Sequence, residues 1–210
     1  MDNKEYEKIL NTRLHGVSLV RKELVDISKR IIGDSLYMED LFFTSAIDRS
    51  IALLDGLSSM LQSRNLTCAG ILLRSQLDNC MRVFAAFIAE NRKNFIKNFM
   101  EGKKISQMKD NHGNKMTDVN LRKRLSEYDN QLDVVYQNSS GYVHLSNKAF
   151  FQSTTIPEGE KNAFELKIGL PIKEKANPIL LECLDAFMHY VKLQNVFLNK
   201  VAISKQTIES

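Results

Sequence analysis

Tyr136, Ser140 and His144 stand at four-residue steps in YQNSSGYVHLS, residues 136 to 146. With a helical turn of about 100° per residue, they share one stripe, and Asp133 and Gln137 lie close by. An imidazole in such a stripe can take a proton from a reacting group. A second polar pair, Arg74 and Asp78, sits four residues apart in LLRSQLD, beside the apolar Leu73/Leu77 seam. Arg placed N-terminal to an acid is the weaker orientation for helix stability, so both groups point to partners elsewhere. A guanidinium there can balance negative charge that develops during a reaction. If the two flanks face each other, Arg74, Asp78, Ser140 and His144 form a polar pocket between helices, where bundles place sites. A structural reading stands beside this one. His144 can simply cap a helix end, and Arg74 with Asp78 can be a buried pair that sets register.

Hydrophobic periodicity supplies the elements that must position these groups. Over residues 4 to 31, Tyr6, Ile9, Val17, Val20, Leu24, Ile27 and Ile31 keep the three-four spacing of one helical face, and Gly33 marks a stop. From Glu39 to Arg64, Phe43, Ile47, Leu54, Leu57 and Leu61 repeat it. LTCAGILLRSQLDNCMRVFAAFIAE is more apolar still and reads as a central helix, with Ala69 and Gly70 small enough for a neighbour to approach closely. A shorter piece, RKNFIKNFMEG, leads into the polar run KKISQMKDNHGNK, which reads as a loop. Thr117 looks like an N-cap, and Leu121, Leu125, Tyr128, Leu132, Val135 and Tyr142 mark one helix that runs into the 136 to 146 stretch. Tyr128 and Tyr142 read as core. AFFQSTTI and AFELKIGL, separated by PEGEKN, suggest a β-hairpin. A last helix from Pro178 carries Leu180, Cys183, Phe187, Tyr190, Phe197 and Val201. The expected fold is mainly α: a bundle of about five or six helices with a small hairpin before the C-terminal helix. Residues 1–210 read as a single domain, with 1–33 as N-terminal helix, 38–146 as core helices with a basic loop at 91–116, 147–171 as hairpin and 175–204 as terminal helix. A lone hairpin is unstable and the central stripe is very apolar, so a homodimer is expected.

Composition narrows the function classes. Of 210 residues, 43% are hydrophobic and 26% charged, with three prolines and nine glycines, which favours long helices over a turn-rich β fold. No window approaches the roughly 20 apolar residues of a membrane span, and the charged N-terminus lacks the apolar stretch of a secretory signal. Cys68, Cys80 and Cys183 are odd in number and set among apolar neighbours, as buried reduced thiols of a cytoplasmic protein would be. Zinc spacings, phosphate loops, dinucleotide fingerprints and nucleophile elbows are absent, so neither metal nor cofactor is expected. The net charge of +4 is uneven. Residues 91 to 125 hold ten Lys or Arg against three acids, a balance of +7, and the remainder is −3. Arg92, Lys93, Lys103, Lys104, Arg122, Lys123 and Arg124 are therefore candidate contacts to an RNA backbone, or else solubilising charges on a connector. His15, His112 and His189 are assigned no partner and receive no role.

LLRSQLD on a central helix, followed by YQNSSGYVHLS, a hairpin and a terminal helix, resembles an uncharacterised bacterial family of helical proteins with LLR-x-x-x-acid and serine-x-tyrosine-valine-histidine segments. More distantly the chain is similar to the HEPN superfamily, compact helical bundles that are usually dimers. That likeness implies RNA binding or metal-independent RNA cleavage in a bacterial toxin or antiphage system, and action with a partner protein from the same operon. His144 then takes the place of the family's histidine, and Asn138 matches the polar residue that often follows its arginine. Gln137 holds the arginine's position, so Arg74 is left to supply the charge. Asp78, Ser140 and Tyr136 complete the implied site. Two other readings stay open: a non-catalytic dimerisation or regulatory module, and a small-ligand or nucleotide sensor using the same pocket.

Overall fold

Polar caps start most of the helices. The Asp2 carboxylate accepts the backbone N–H of Glu5 at 2.8 Å and opens α1, Asn3–Ile32, which ends at Gly33 with φ 56°. Asn65 caps α3 through the N–H of Cys68, and Asn91 caps α4 through the N–H of Asn94. Thr117 caps α5 at 3.3 Å from the N–H of Asn120. The computed structural model describes residues 1–144, 146–147, 150, 154–155, 163–166, 168–169 and 172–209. Its α-helices are α1, α2 (Met38–Gln62), α3 (Leu66–Ile88), α4 (Arg92–Met100), α5 (Asp118–Leu125), α6 (Leu132–Val143) and α7 (Asn177–Glu209). The chain is mainly helical.

Helix α3 is the central element and packs against α2, α5, α6 and α7. One apolar cluster extends from Tyr6 in α1 to Ala202 in α7, with Phe43, Phe84, Phe187 and Phe197 fully enclosed. Inside it lies a polar patch that periodicity does not reveal. The Asn79 amide donates to the Ala46 carbonyl at 2.8 Å, Gln76 donates to Gln194 Oε1 at 3.0 Å, and Gln194 donates to Ser50 Oγ at 3.0 Å. These bonds join α2, α3 and α7 at one register, because any slip would strand buried amides. Asn177 does similar work at the end of the bundle. It accepts from Arg64 Nε at 3.0 Å and donates to Asn3 Oδ1 at 3.2 Å, which holds the starts of α1 and α7 beside the α2–α3 turn.

Several expectations need correction. Residues 118–143 form two helices and not one. The break at residues 126–131 centres on Asp129, whose buried carboxylate accepts the Gln131 N–H at 3.0 Å and the Tyr190 hydroxyl at 2.9 Å. Tyr128 in that turn is 51% exposed, although its ring meets Phe84 and Phe197 edge-on. Seven α-helices are described where five or six were expected, because that break adds one and the 91–116 segment contains α4. The remainder of the segment is a loop with anchors. Ile105, Met108 and Met116 are buried, and Met116 N–H bonds the Met108 carbonyl at 2.9 Å. Helix α7 runs on to Glu209, past the expected end at 204. Of the hairpin expected at 147–171, only a short antiparallel pairing is described, Thr154 with Leu166 and Thr155 with Glu165. Much of that segment lies outside the described residues. No helix among the described residues is long and apolar enough to cross a membrane. Cys80 and Cys183 are buried, whereas Cys68 is half-buried.

Candidate functional site

Helices α3 and α6 pack together where Gly70 meets Tyr142, and this contact brings the flanks of both helices to one cavity of about 340 Å³. Arg74 and Asp78 enter from α3, and Tyr136, Ser140 and His144 from α6. Arg49 of α2 lies on the same wall. Five of the six candidate catalytic residues therefore share one recess. Asn138 is exposed and does not line it.

The Tyr136 ring is held between two guanidiniums. Arg74 lies 3.9 Å from its centroid and Arg122 lies 4.2 Å from it. Both arginine side chains are only 16% exposed, so these cation–π contacts are strengthened by partial desolvation. Arg122 also reaches Asp133 at 2.9 Å. Asp78 is 3.7 Å from Arg74 but only 3.1 Å from Arg82, whose terminal nitrogen binds Asp118 at 3.0 Å as well. The chain Arg74–Asp78–Arg82–Asp118 thus links α3 to the start of α5. Asp78 is neutralised from both sides, which leaves the cavity cationic.

The two residues with most freedom are His144 and Arg49. His144 ends α6 with extended backbone, φ −115° and ψ 155°, and its carbonyl accepts the Ser146 N–H at 2.7 Å. Its ring is exposed, and among the described residues it has no hydrogen-bond or ion-pair partner. Arg49 is likewise exposed and unpaired among them. Ser140 donates its hydroxyl to the Tyr136 carbonyl at 2.7 Å, so its proton is already committed within the helix. Arg49 escapes sequence reasoning because it lies on a different helix and carries no motif. Only the α2–α3 packing brings it here.

The basic segment divides into parts with different environments. Arg124 is tied to Asp110 at 2.7 Å and to Asn111 at 2.9 Å. Burial alone pushes the Asp110 carboxyl up, but the Arg124 bond and the N–H groups of Asn114 and His112 outweigh it and hold the group below the usual carboxylate range. Arg122 and Arg124 are thus structural anchors, while Lys123 is exposed. Lys103 and Lys104 line a separate cavity of about 510 Å³ that also includes Arg82. Arg92 and Lys93 line a third, of about 810 Å³.

His189 departs from expectation. Its Nε2 lies 3.3 Å from Asp129, the same carboxylate that accepts the Tyr190 hydroxyl. Burial, reinforced by that carboxylate, pushes the Tyr190 hydroxyl far above its ordinary range. No sequence spacing signals the pair, since the partners are 60 residues apart. Among the described residues, no group of three or more His, Cys, Asp or Glu is placed to hold a metal ion. Compared with known proteins, the chain matches no family model, no curated protein and no solved structure.

Proposed function

We propose that this chain is a HEPN-like protein of a bacterial toxin or antiphage system that binds RNA and cleaves it without a metal. The observation that carries this reading is the cationic recess in which His144 and Arg49, both unpaired among the described residues, sit with one stacked guanidinium, Arg74. In the proposed reaction His144 takes the proton of a ribose 2′-hydroxyl, and the oxygen attacks the adjacent phosphorus. The bond to the 5′-oxygen breaks, His144 returns the proton to that oxygen, and a 2′,3′-cyclic phosphate remains. Arg49 and Arg74 balance the charge that builds on the phosphoryl oxygens. Arg49 is the freer of the two and answers to the charge absent at Gln137.

Ile71 and Val143 are exposed apolar residues on the wall of the recess, which supports a homodimer that covers it with a second copy. The three thiols suit a reducing cytoplasm, and action with a partner protein of the same operon belongs to the same proposal. Lys103 and Lys104 extend the footprint, joined to the recess through Arg82.

RNA affinity measured against salt tests the binding half. Replacing Arg49, Lys103 and Lys104 together by Gln is expected to reduce the steepness of log affinity against log salt by about 2 to 3, since each phosphate contact contributes roughly one unit. Replacing Arg122 and Arg124 should instead lower thermal stability, because both hold acids of the scaffold. An unchanged slope in the first variant argues against this footprint. One observation favours a second reading: Arg74, Asp78, Arg82 and Asp118 already satisfy one another, as they would in a non-catalytic module. In that case Arg49→Gln and His144→Ala leave every RNA measurement unchanged.

A further inference from the structure

The start of α2, helix α4 and the last turns of α7 enclose the largest of the three cavities, about 810 Å³. Its wall is mostly carbon, from Tyr37, Met38, Ile96, Met100 and Val201. Met38 and Met100 are each more than half exposed, at 52% and 58%. Large apolar side chains left open together mark a binding surface, and thioethers adapt to a flexible apolar guest. One charged pair in the cavity is already closed. Lys205 donates to the Asp40 carboxylate and to the Ser35 carbonyl, and its ammonium lies 4.4 Å from the Tyr37 ring centroid.

The open charge lies on α4. Lys93 and Lys97 stand one turn apart and have no ion-pair partner among the described residues. Arg92 Nε is screened from water and has no hydrogen-bond acceptor among the described residues. That nitrogen is covered by the protein, so a carboxylate head would meet the outer nitrogens of the same guanidinium, which pair with no acid among the described residues. With Asp40 and Lys205 paired, three cations face two acids, Glu39 and Glu101, so the cavity prefers an anion. Its size lies within the range of small-molecule sites of roughly 300–1,000 Å³. We propose that this cavity binds a free long-chain carboxylate, with its head on Arg92 and its hydrocarbon body along Met38, Ile96, Met100 and Val201.

The test uses the full chain and dodecanoate below its micelle concentration, followed by titration calorimetry. Saturable binding of one molecule per chain is expected, and dodecyltrimethylammonium should bind at least about tenfold more weakly. Arg92→Gln should weaken dodecanoate by about tenfold or more, the effect of losing a charge-assisted hydrogen bond. Met100→Glu, at a position too exposed to unfold the chain, should weaken it as much and serves if Arg92→Gln does not fold. Absence of saturation, equal binding of the cationic amphiphile, or wild-type binding by Met100→Glu overturns the proposal. Binding to phosphatidylglycerol vesicles without binding of free dodecanoate also overturns it, by assigning the surface to a membrane.

Discussion

Gly70→Ala is expected to destabilise the protein by about 3 kcal/mol, the upper end of ordinary overpacking. A Cβ on Gly70 would lie 2.3 Å from Cδ2 and 2.4 Å from Cγ of Tyr142, and 2.9 Å from its Cβ. The last of these is an atom next to the backbone, so a ring rotation cannot relieve the clash and α6 must move away from α3. Tyr142 is buried in the core, so moving its ring aside would also disturb the packing around it. Gly16→Ala in α1 is the control, since nothing lies within 4 Å of its added carbon. It should stabilise by up to about 1 kcal/mol, the helix-propensity difference alone. Urea midpoints with unchanged slopes measure both. Equal, small effects of the two substitutions would show that α3 and α6 are not in contact at Gly70. Because α6 carries Tyr136, Ser140 and His144, Gly70→Ala should also dismantle the recess.

The second large effect belongs to the Asp40–Lys205 pair, both partners of which are almost wholly buried. Lys205→Met should cost about 3–5 kcal/mol, because among the described residues it leaves the buried Asp40 carboxylate with the Tyr37 N–H at 2.7 Å and no cation. Asp40→Leu combined with Lys205→Met should be much milder than Lys205→Met alone, since no charge is then stranded. A residual loss of about 1 kcal/mol would remain from the missing cap at the start of α2. If the double variant is as unstable as the sum of the single variants, the two groups do not interact, and the floor of the α2–α4–α7 cavity is arranged differently.

How far the sequence carries can be read residue by residue. The apolar stripes of α1, α2, α3 and α7 were legible, because long helices repeat the same spacing many times and each repeat reinforces the last. The approach of a neighbour at Gly70 was legible from size alone, though not that the neighbour would be Tyr142. The grouping of Arg74 and Asp78 with Tyr136, Ser140 and His144 could be reasoned from helical phase on each side, given that the two flanks meet. What stayed hidden is long-range. Arg49 reaches the recess through the α2–α3 packing, and His189 meets Asp129 only when α7 passes the α5–α6 turn. That turn itself was missed because Leu125 and Leu132 continue a helical stripe across it, while the buried Asp129 decides the break through bonds that form only in the folded chain. The charges of Arg122 and Arg124 looked available because a sequence lists cations without their partners.

The proposed function makes His144 the proton acceptor of an RNA-cleaving site built on the α3–α6 contact. The most direct measurement incubates wild type and His144→Ala with single-stranded RNA in the presence of a metal chelator. Products are then assayed for 2′,3′-cyclic phosphate ends, and melting is followed in parallel. Wild type is expected to release cyclic ends from RNA and to leave the 2′-deoxy analogue intact. His144→Ala should lose at least about a hundredfold in rate, the usual share of a general base, with its melting temperature within a few degrees of wild type. Equal cleavage by both proteins, or no cleavage by wild type, would contradict the claim.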